Sequence, residues 1–296
     1  MKDIVLITGA SGHLAKALSR YLSKDYIVKH LTTKKILSSQ DSCFHWDIQR
    51  GYIDYKALEN CKHIIHLAGF PILNWWTKKN KQIMYDSRIA TAKLILDGCK
   101  RINNNPKTFI SASAIGIYEK SLIGDVHENS QKGRDWLARM VRDWEDASNK
   151  FKAIGSRVVQ LRFSLIFSKE AGFLKYNLFA MKFGIGAIIG NPKRKINWMH
   201  VEDITRLIKE SITNKEYTGP YNLACDDKIS QKEFITKIRR HLFPYALIVR
   251  IPMFLMNWII GGRSQIIKSN LNLNTKKIKG HGFKFKVNSL DQMLKE

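Results

Sequence analysis

A strand that breaks into a glycine turn and restarts as a helix, all within the opening residues, narrows what this chain can fold into more than any other feature. Ile4-Val5-Leu6-Ile7 is a short β-rich apolar run closed by Thr8-Gly9. Beyond it, Leu14, Ala17, Leu18, Tyr21 and Leu22 recur at spacings of three and four, the period of a helix. Between the two stands Gly9-Ala10-Ser11-Gly12-His13-Leu14-Ala15. A phosphate-binding turn needs one glycine to bend tightly, a second to let backbone approach the ligand, and a small third residue so that helix and strand can pack. Gly9, Gly12 and Ala15 fill those slots. The N–H groups at the helix start then face negative charge. The pattern predicts a dinucleotide cradle in which Gly9, Ser11, Gly12, His13 and Leu14 meet the diphosphate.

Alternating units follow. Tyr26–Leu31, Cys43–Trp46, His63–Leu67 and Thr108–Ser111 read as the second to fifth strands, the last closed by Ser113 and Gly116. Thr77–Arg101 reads as one long helix and Asp135–Phe151 as another, with Trp136, Met140 and Trp144 on one apolar face. Ser156–Phe163 reads as a sixth strand. This alternation predicts an α/β fold, a Rossmann-type doubly wound parallel sheet with a smaller mixed C-terminal lobe. The expected nucleotide-binding domain is 1–165, completed by about 196–225, and the smaller, substrate-side lobe is 166–195 and 226–296. In the latter, Ser230 and Glu233 form a capping box ahead of a helix to Leu242.

The end of the second strand selects the dinucleotide. An acidic residue there favours NAD, whereas a basic one accommodates the extra phosphate of NADP. This chain reads Leu31-Thr32-Thr33-Lys34-Lys35, with no carboxylate until Asp41. Thr32, Thr33 and the lysines suit a 2′-phosphate, so NADP(H) is the expected cofactor; an ordinary solvated loop is the alternative. Leu67, Ala68 and Gly69 are expected to floor the adenosine and ribose. Arg88 is either a phosphate or substrate contact or a solvated arginine.

The net charge of +25 comes from lysine and arginine spread along the whole chain. It fits a solvated basic surface, or a phosphate-rich partner such as nucleic acid or an anionic membrane face. No RNA- or DNA-binding motif accompanies it, so nucleic acid is not expected. Cys43, Cys61, Cys99 and Cys225 form no C-x-x-C pair, which argues for reduced thiols and against zinc. His63 and His66, three apart on a strand, point to opposite faces and cannot share a metal. His200, Glu202 and Asp203 look ligand-like but are better read as packing and hydrogen-bonding residues, and Trp75 and Trp76 either cover a substrate or pack. No metal is expected. Lys2-Asp3 runs straight into strand, so no signal peptide and a cytoplasmic location are expected. Leu242–Ile260 is broken by Pro244, Arg250 and Pro252, and reads as core or a subunit contact instead of a membrane span. The oligomeric state stays open.

Taken together, ITGASGHLA, HLAG at 66–69, Ser111-Ala112-Ser113 and WMHVED at 198–203 resemble the extended short-chain dehydrogenase/reductases of nucleotide-sugar epimerase type. HLAGFPI, SASAIGIY, WLARMVRDWEDA, RVVQLRFSLIF, GPYNLACDD and HGFKF resemble, more narrowly, the subgroup described as epimerase-family proteins, over nearly the whole chain. The resemblance implies a Rossmann domain with a small C-terminal lobe, NADP(H), and a small carbonyl or sugar-like substrate. It also implies a Tyr-x-x-x-Lys pair after the fifth strand, with a serine to orient the carbonyl. Ser113 matches that serine. The helix 135–151, however, holds no tyrosine, and Trp136, Leu137, Met140 and Val141 stand where the pair belongs. Tyr118 is the nearest substitute acid, so Ser113 and Tyr118 are the candidate catalytic residues of an oxidoreductase of atypical mechanism. The alternative is a non-catalytic NADP(H)-binding regulatory or scaffold protein, since related plastid and cyanobacterial proteins are associated with division.

Overall fold

The computed structural model describes residues 2–34 and 42–295. These residues form two compact units: one of Met1–Ala114, Asp135–Arg162 and Thr205–Tyr221, the other of Ile115–Arg134, Phe163–Ile204 and Asn222–Glu296.

The first unit is laid on an eight-stranded sheet. In chain order it begins β1 (Ile4–Thr8), α1 (His13–Leu22), β2 (Ile27–Thr32), β3 (Cys43–Asp47), β4 (Tyr52–Ile53) and β5 (Cys61–His66). It continues with α2 (Lys78–Asp86), α3 (Ile89–Arg101), β6 (Thr108–Ala114), α4 (Trp136–Asn149) and the strands Arg157–Phe163 and Gly219–Leu223. β1 pairs in parallel with β2 on one side and β5 on the other, β2 with β3, and β5 with β6, while β4 closes the edge antiparallel to β3. The chain therefore winds outward from β1 to β4, then returns to β5 and winds the other way. That reversal opens a crevice beyond the carboxyl ends of β1 and β5.

Burial explains why these segments hold. Val5, Leu6 and Ile7 are all buried, as a strand covered on both faces requires. Ala15, Leu18 and Leu22 seat one face of α1, and each leucine contributes about 1.5–3 kcal/mol by leaving water. Phe109 of β6 stacks on Phe151 with ring centroids 3.6 Å apart.

Sequence periodicity alone misses one break. Instead of a single helix over Thr77–Arg101, α2 ends at Asp86 and α3 starts at Ile89. Arg88 stands between them at φ −114°, ψ −51°. Its guanidinium turns back to donate to Met84 O at 2.9 Å and Phe70 O at 3.1 Å, and the Ser87 hydroxyl takes the Phe70 N–H at 2.8 Å. These side-chain bonds compete with the helical ladder and end it.

The second unit is smaller in its sheets. Parallel strands Ile185–Ile189 and Leu247–Ile251 form one, and an aromatic cluster of Phe167, Phe173, Trp198 and Phe234 fills its interior, with Phe167 stacked on Trp198 at 4.7 Å. The capping box forms as expected: Ser230 Oγ accepts the Glu233 N–H at 3.2 Å and Glu233 Oε2 accepts the Ser230 N–H at 2.7 Å. Of the two readings of Leu242–Ile260, core or subunit contact, core holds only at Ala246. Helix Met253–Ile260 buries none of its residues.

Candidate functional site

The crevice at the switch point is a cleft of about 410 Å³. Gly9, Ala10 and Ser11 line it from the turn after β1; Thr32, Thr33 and Lys34 line it from the end of β2. Ala68, Gly69, Phe70 and Pro71 come from the loop after β5. Gly9 sits at φ +76°, and a Cβ there would stand 3.1 Å from both Ala68 N and Leu67 O, so only glycine lets the two loops close on one another. Gly12 is the N-cap of α1 and donates its N–H back to Gly9 O at 2.8 Å. No side chain caps α1, and its first turn, which His13 and Leu14 open, holds no acidic residue. The helix start is thus open and positive. Thr33 and Lys34 are exposed at the rim, with Thr32 Oγ1 accepting the Lys34 N–H at 3.2 Å. Lys35 and Asp41 lie outside the described residues.

Beneath the floor, a buried polar chain ties the strand ends together. Thr8 Oγ1 accepts the N–H groups of Leu67 (3.1 Å) and Ala68 (3.0 Å) and lies 2.9 Å from His66 Nδ1. His66 Nε2 lies 3.2 Å from Arg88 O, which only accepts, so Nε2 carries the proton and Nδ1 receives the Thr8 hydroxyl. Burial pushes the His66 ring down to about 4, keeping it neutral. In the unfolded chain an ordinary histidine titrates near 6.5, so below that value the unfolded state binds the extra proton. Stability is then complete above about pH 6.5 and is lost as pH falls towards 4. Urea unfolding at pH 5 should give about 2 kcal/mol less than at pH 7 from this residue, and His66→Gln should flatten the slope. His30 and His63, lowered mainly by burial, push in the same direction.

Arg88 corrects one expectation. It is neither solvated nor a cleft-lining cation: it is buried, packs under Gly69, and lies 5.1 Å from the Trp144 ring. Its Nε finds no partner among the described residues.

Ser113, at the end of β6, is buried and donates to Glu145 Oε1 at 2.6 Å. Glu145, on α4, is held in turn by Arg162, through Nε at 2.7 Å and Nη2 at 2.8 Å. Spacing did not reveal this trio, whose members lie on three separate elements. Of Trp136, Leu137, Met140 and Val141, which stand where the missing pair belongs, the last three are buried in α4. Tyr118 belongs to the second unit, where its buried hydroxyl donates to Asn222 Oδ1 at 2.5 Å.

Other candidates fall into structural company. Asp203 accepts the N–H groups of Lys286 and Val287 at 2.8 and 2.9 Å, and Glu202 takes Lys286 Nζ at 2.6 Å. Trp76 donates to Ile72 O and packs edge-on against Trp136, 5.1 Å away, while Trp75 is exposed. Burial pushes the thiols of Cys61, Cys99 and Cys225 up to about 12. Among the described residues there is no cluster able to hold a metal ion and no helix long and apolar enough to cross a membrane. Trp46 and Ile48, which also line the cleft, escaped the sequence reading. Trp46 lies near the end of β3 and Ile48 just past it, where the switch-point rule would have pointed.

Comparison with known proteins agrees with this architecture. An epimerase family protein of Mycobacterium leprae is 30% identical over 81% of this chain and 77% of its own. One of Bacillus subtilis is 27% identical over 99% and 97%. The crystal structure of the human epimerase family protein SDR39U1 with NADPH superposes with a TM-score of 0.85 at 19% identity, covering 99% of this chain and 98% of that one. UDP-glucuronic acid 4-epimerase of Bacillus cereus, with UDP-glucuronic acid and NAD, gives 0.78 at 18% identity over 99% and 96%. Residues 5–224 match the model of the NAD dependent epimerase/dehydratase family, and the chain belongs to that family.

Proposed function

We propose that the chain binds NADP(H) in the switch-point cleft and acts as an oxidoreductase or epimerase-like enzyme on a small carbonyl or sugar-like compound. The observation that carries this reading is the cradle itself: a positive-φ glycine with no room for a Cβ, an uncapped helix start, and Thr32, Thr33 and Lys34 opposite. The residues fit the group. Gly9, Ser11 and Gly12, with the first N–H groups of α1, would hold the diphosphate. Thr32, Thr33 and Lys34 would hold the 2′-phosphate, and Leu67, Ala68 and Gly69 would floor the adenosine side. Bound nicotinamide supplies or takes up a hydride.

The chain's own residues set the proton chemistry. Ser113 Oγ keeps its hydrogen on Glu145, so towards any substrate it offers lone pairs instead of a proton. It therefore orients a substrate hydroxyl as an acceptor and cannot replace the missing tyrosine as acid. Tyr118, committed to Asn222, is not assigned that role. The lack of tyrosine in α4, with Trp136, Leu137, Met140 and Val141 where the pair belongs, favours one rival reading, a cofactor-binding protein without turnover.

Titration with NADPH and NADH tests the first half. NADPH should bind about 10–100-fold more tightly, and Lys34→Glu should abolish that preference by placing a carboxylate against the 2′-phosphate. Equal binding of the two nucleotides by the unaltered chain would remove the NADP(H) assignment. Tight binding with no oxidation of NADPH across a panel of carbonyl compounds would leave the non-catalytic reading.

A further inference from the structure

The second unit carries an apolar surface that the cleft does not use. On the helix Gly172–Lys182, the residues Lys175, Tyr176, Phe179 and Lys182 fall at one helical face and are all exposed, and exposed Phe183 follows them directly. Phe179 and Phe183 lie 4.9 Å apart. The chain then enters the two-stranded sheet, where Ile185 pairs with Leu247. Alternation sets Ile185, Leu247 and Val249 on one sheet face, all exposed, Leu247 at 71%. The opposite face is covered: Ile188 is buried, and Gly186 packs against Met181 and Ile235. At the far end of the strand Leu247–Ile251, Pro252 leads into helix Met253–Ile260. There Phe254 (70% exposed), Leu255, Trp258 (87%) and Ile259 share one outward face.

The sequence that carries these residues is basic throughout. No aspartate or glutamate occurs between Glu170 and Glu202, nor between Glu233 and Asp291. Lys175, Lys182, Arg239, Arg240 and Lys268 are all exposed in these stretches, whereas exposed Arg250 pairs with Ile188 and belongs to the other face of the sheet.

We propose that the exposed aromatic and aliphatic side chains of helices Gly172–Lys182 and Met253–Ile260 dock on an anionic lipid bilayer, entering the headgroup boundary while neighbouring lysines and arginines meet the lipid phosphates. Exposed apolar surface of this extent marks a site of association. A second copy of the chain is disfavoured as occupant, because pairing would set lysine against lysine with no carboxylate to answer it. Nucleic acid would answer the charge but not an exposed tryptophan set among leucine, isoleucine and phenylalanine. A helix that exposes phenylalanine, leucine, tryptophan and isoleucine, together with a helix interleaving lysine with aromatics, matches the interfacial binding mode, in which buried apolar area and attraction to anionic headgroups add. The inference stands apart from the cleft and does not require that any dinucleotide binds.

The test is flotation of the full chain with phosphatidylcholine vesicles and with vesicles containing phosphatidylglycerol, alongside tryptophan emission compared between the unaltered chain and Trp258→Glu. Anionic vesicles should bind at least about 10-fold better than neutral ones, with a blue-shifted emission, and binding should weaken with salt. Trp258→Glu should abolish flotation and the blue shift. Lys175→Glu should weaken binding by about 5-fold or more. Both positions are exposed, so thermal melts should match the unaltered chain. Failure to float with anionic vesicles would overturn the proposal. So would flotation indifferent to both substitutions, a concentration-dependent dimer in sedimentation that Trp258→Glu dissolves, or preferential binding of an RNA or DNA duplex that Trp258→Glu leaves intact.

Discussion

Glu145→Ala lowers the free energy of unfolding by about 3–5 kcal/mol, measured by urea denaturation at neutral pH. The carboxylate is buried on α4, takes two bonds from Arg162 and one from Ser113, and leaves all three donors stranded when it goes. Arg162 is among the largest fully buried side chains, so its charge has no water to fall back on. Removing one member of such a pair costs far more than replacing both. The double variant Glu145→Ala, Arg162→Met should therefore recover much of the loss, and the cycle should show coupling well above additivity. Glu145→Gln keeps the shape and removes only the charge, and should fall between the two. A loss below about 1 kcal/mol for Glu145→Ala would mean that the trio is not the buried anchor its geometry describes.

The second large effect separates binding from folding. Ser11→Asp places a carboxylate at the mouth of α1, where the cleft is lined by Ser11 and the helix start is uncapped. For the fold this is neutral or helpful by about 0.3–1 kcal/mol, since an anion near a helix N-terminus is favourable. For a diphosphate on the same N–H groups it is repulsive. NADPH affinity should drop about 100-fold, some 2.7 kcal/mol, while the thermal midpoint holds or rises. Calorimetry and a thermal melt on the same sample measure both signs. Unchanged affinity would place the dinucleotide's phosphates elsewhere.

The parts of this molecule that were readable before its structure are those governed by local rules. A glycine turn after an apolar strand announces itself because positive φ and close backbone approach exclude other residues, and Gly9 meets both conditions. The Ser230–Glu233 cap was equally legible, being a contact across three positions. The break at Ser87-Arg88 was not, since helical spacing runs through it and the bonds to distant Phe70, from Arg88 and to Ser87, show only in three dimensions. Nor was the trio of Ser113, Glu145 and Arg162, which depends on β6, α4 and the following strand lying side by side. Apolar composition left core and subunit contact equally open at Met253–Ile260, because hydrophobicity says that a segment prefers to leave water, not which neighbour covers it.

One consequence follows from the hydroxyl of Thr8. It grips the amides of Leu67 and Ala68 while leaning on a neutral imidazole, so the tips of the two central strands are latched whether or not anything occupies the crevice above them. A guest entering this crevice finds its walls already in place and surrenders little free energy to organising them. The latch also makes acidity a solvent for the crevice. Protonating His66 strips Thr8 of its acceptor, so the walls should loosen on the acid side before the rest of the sheet gives way.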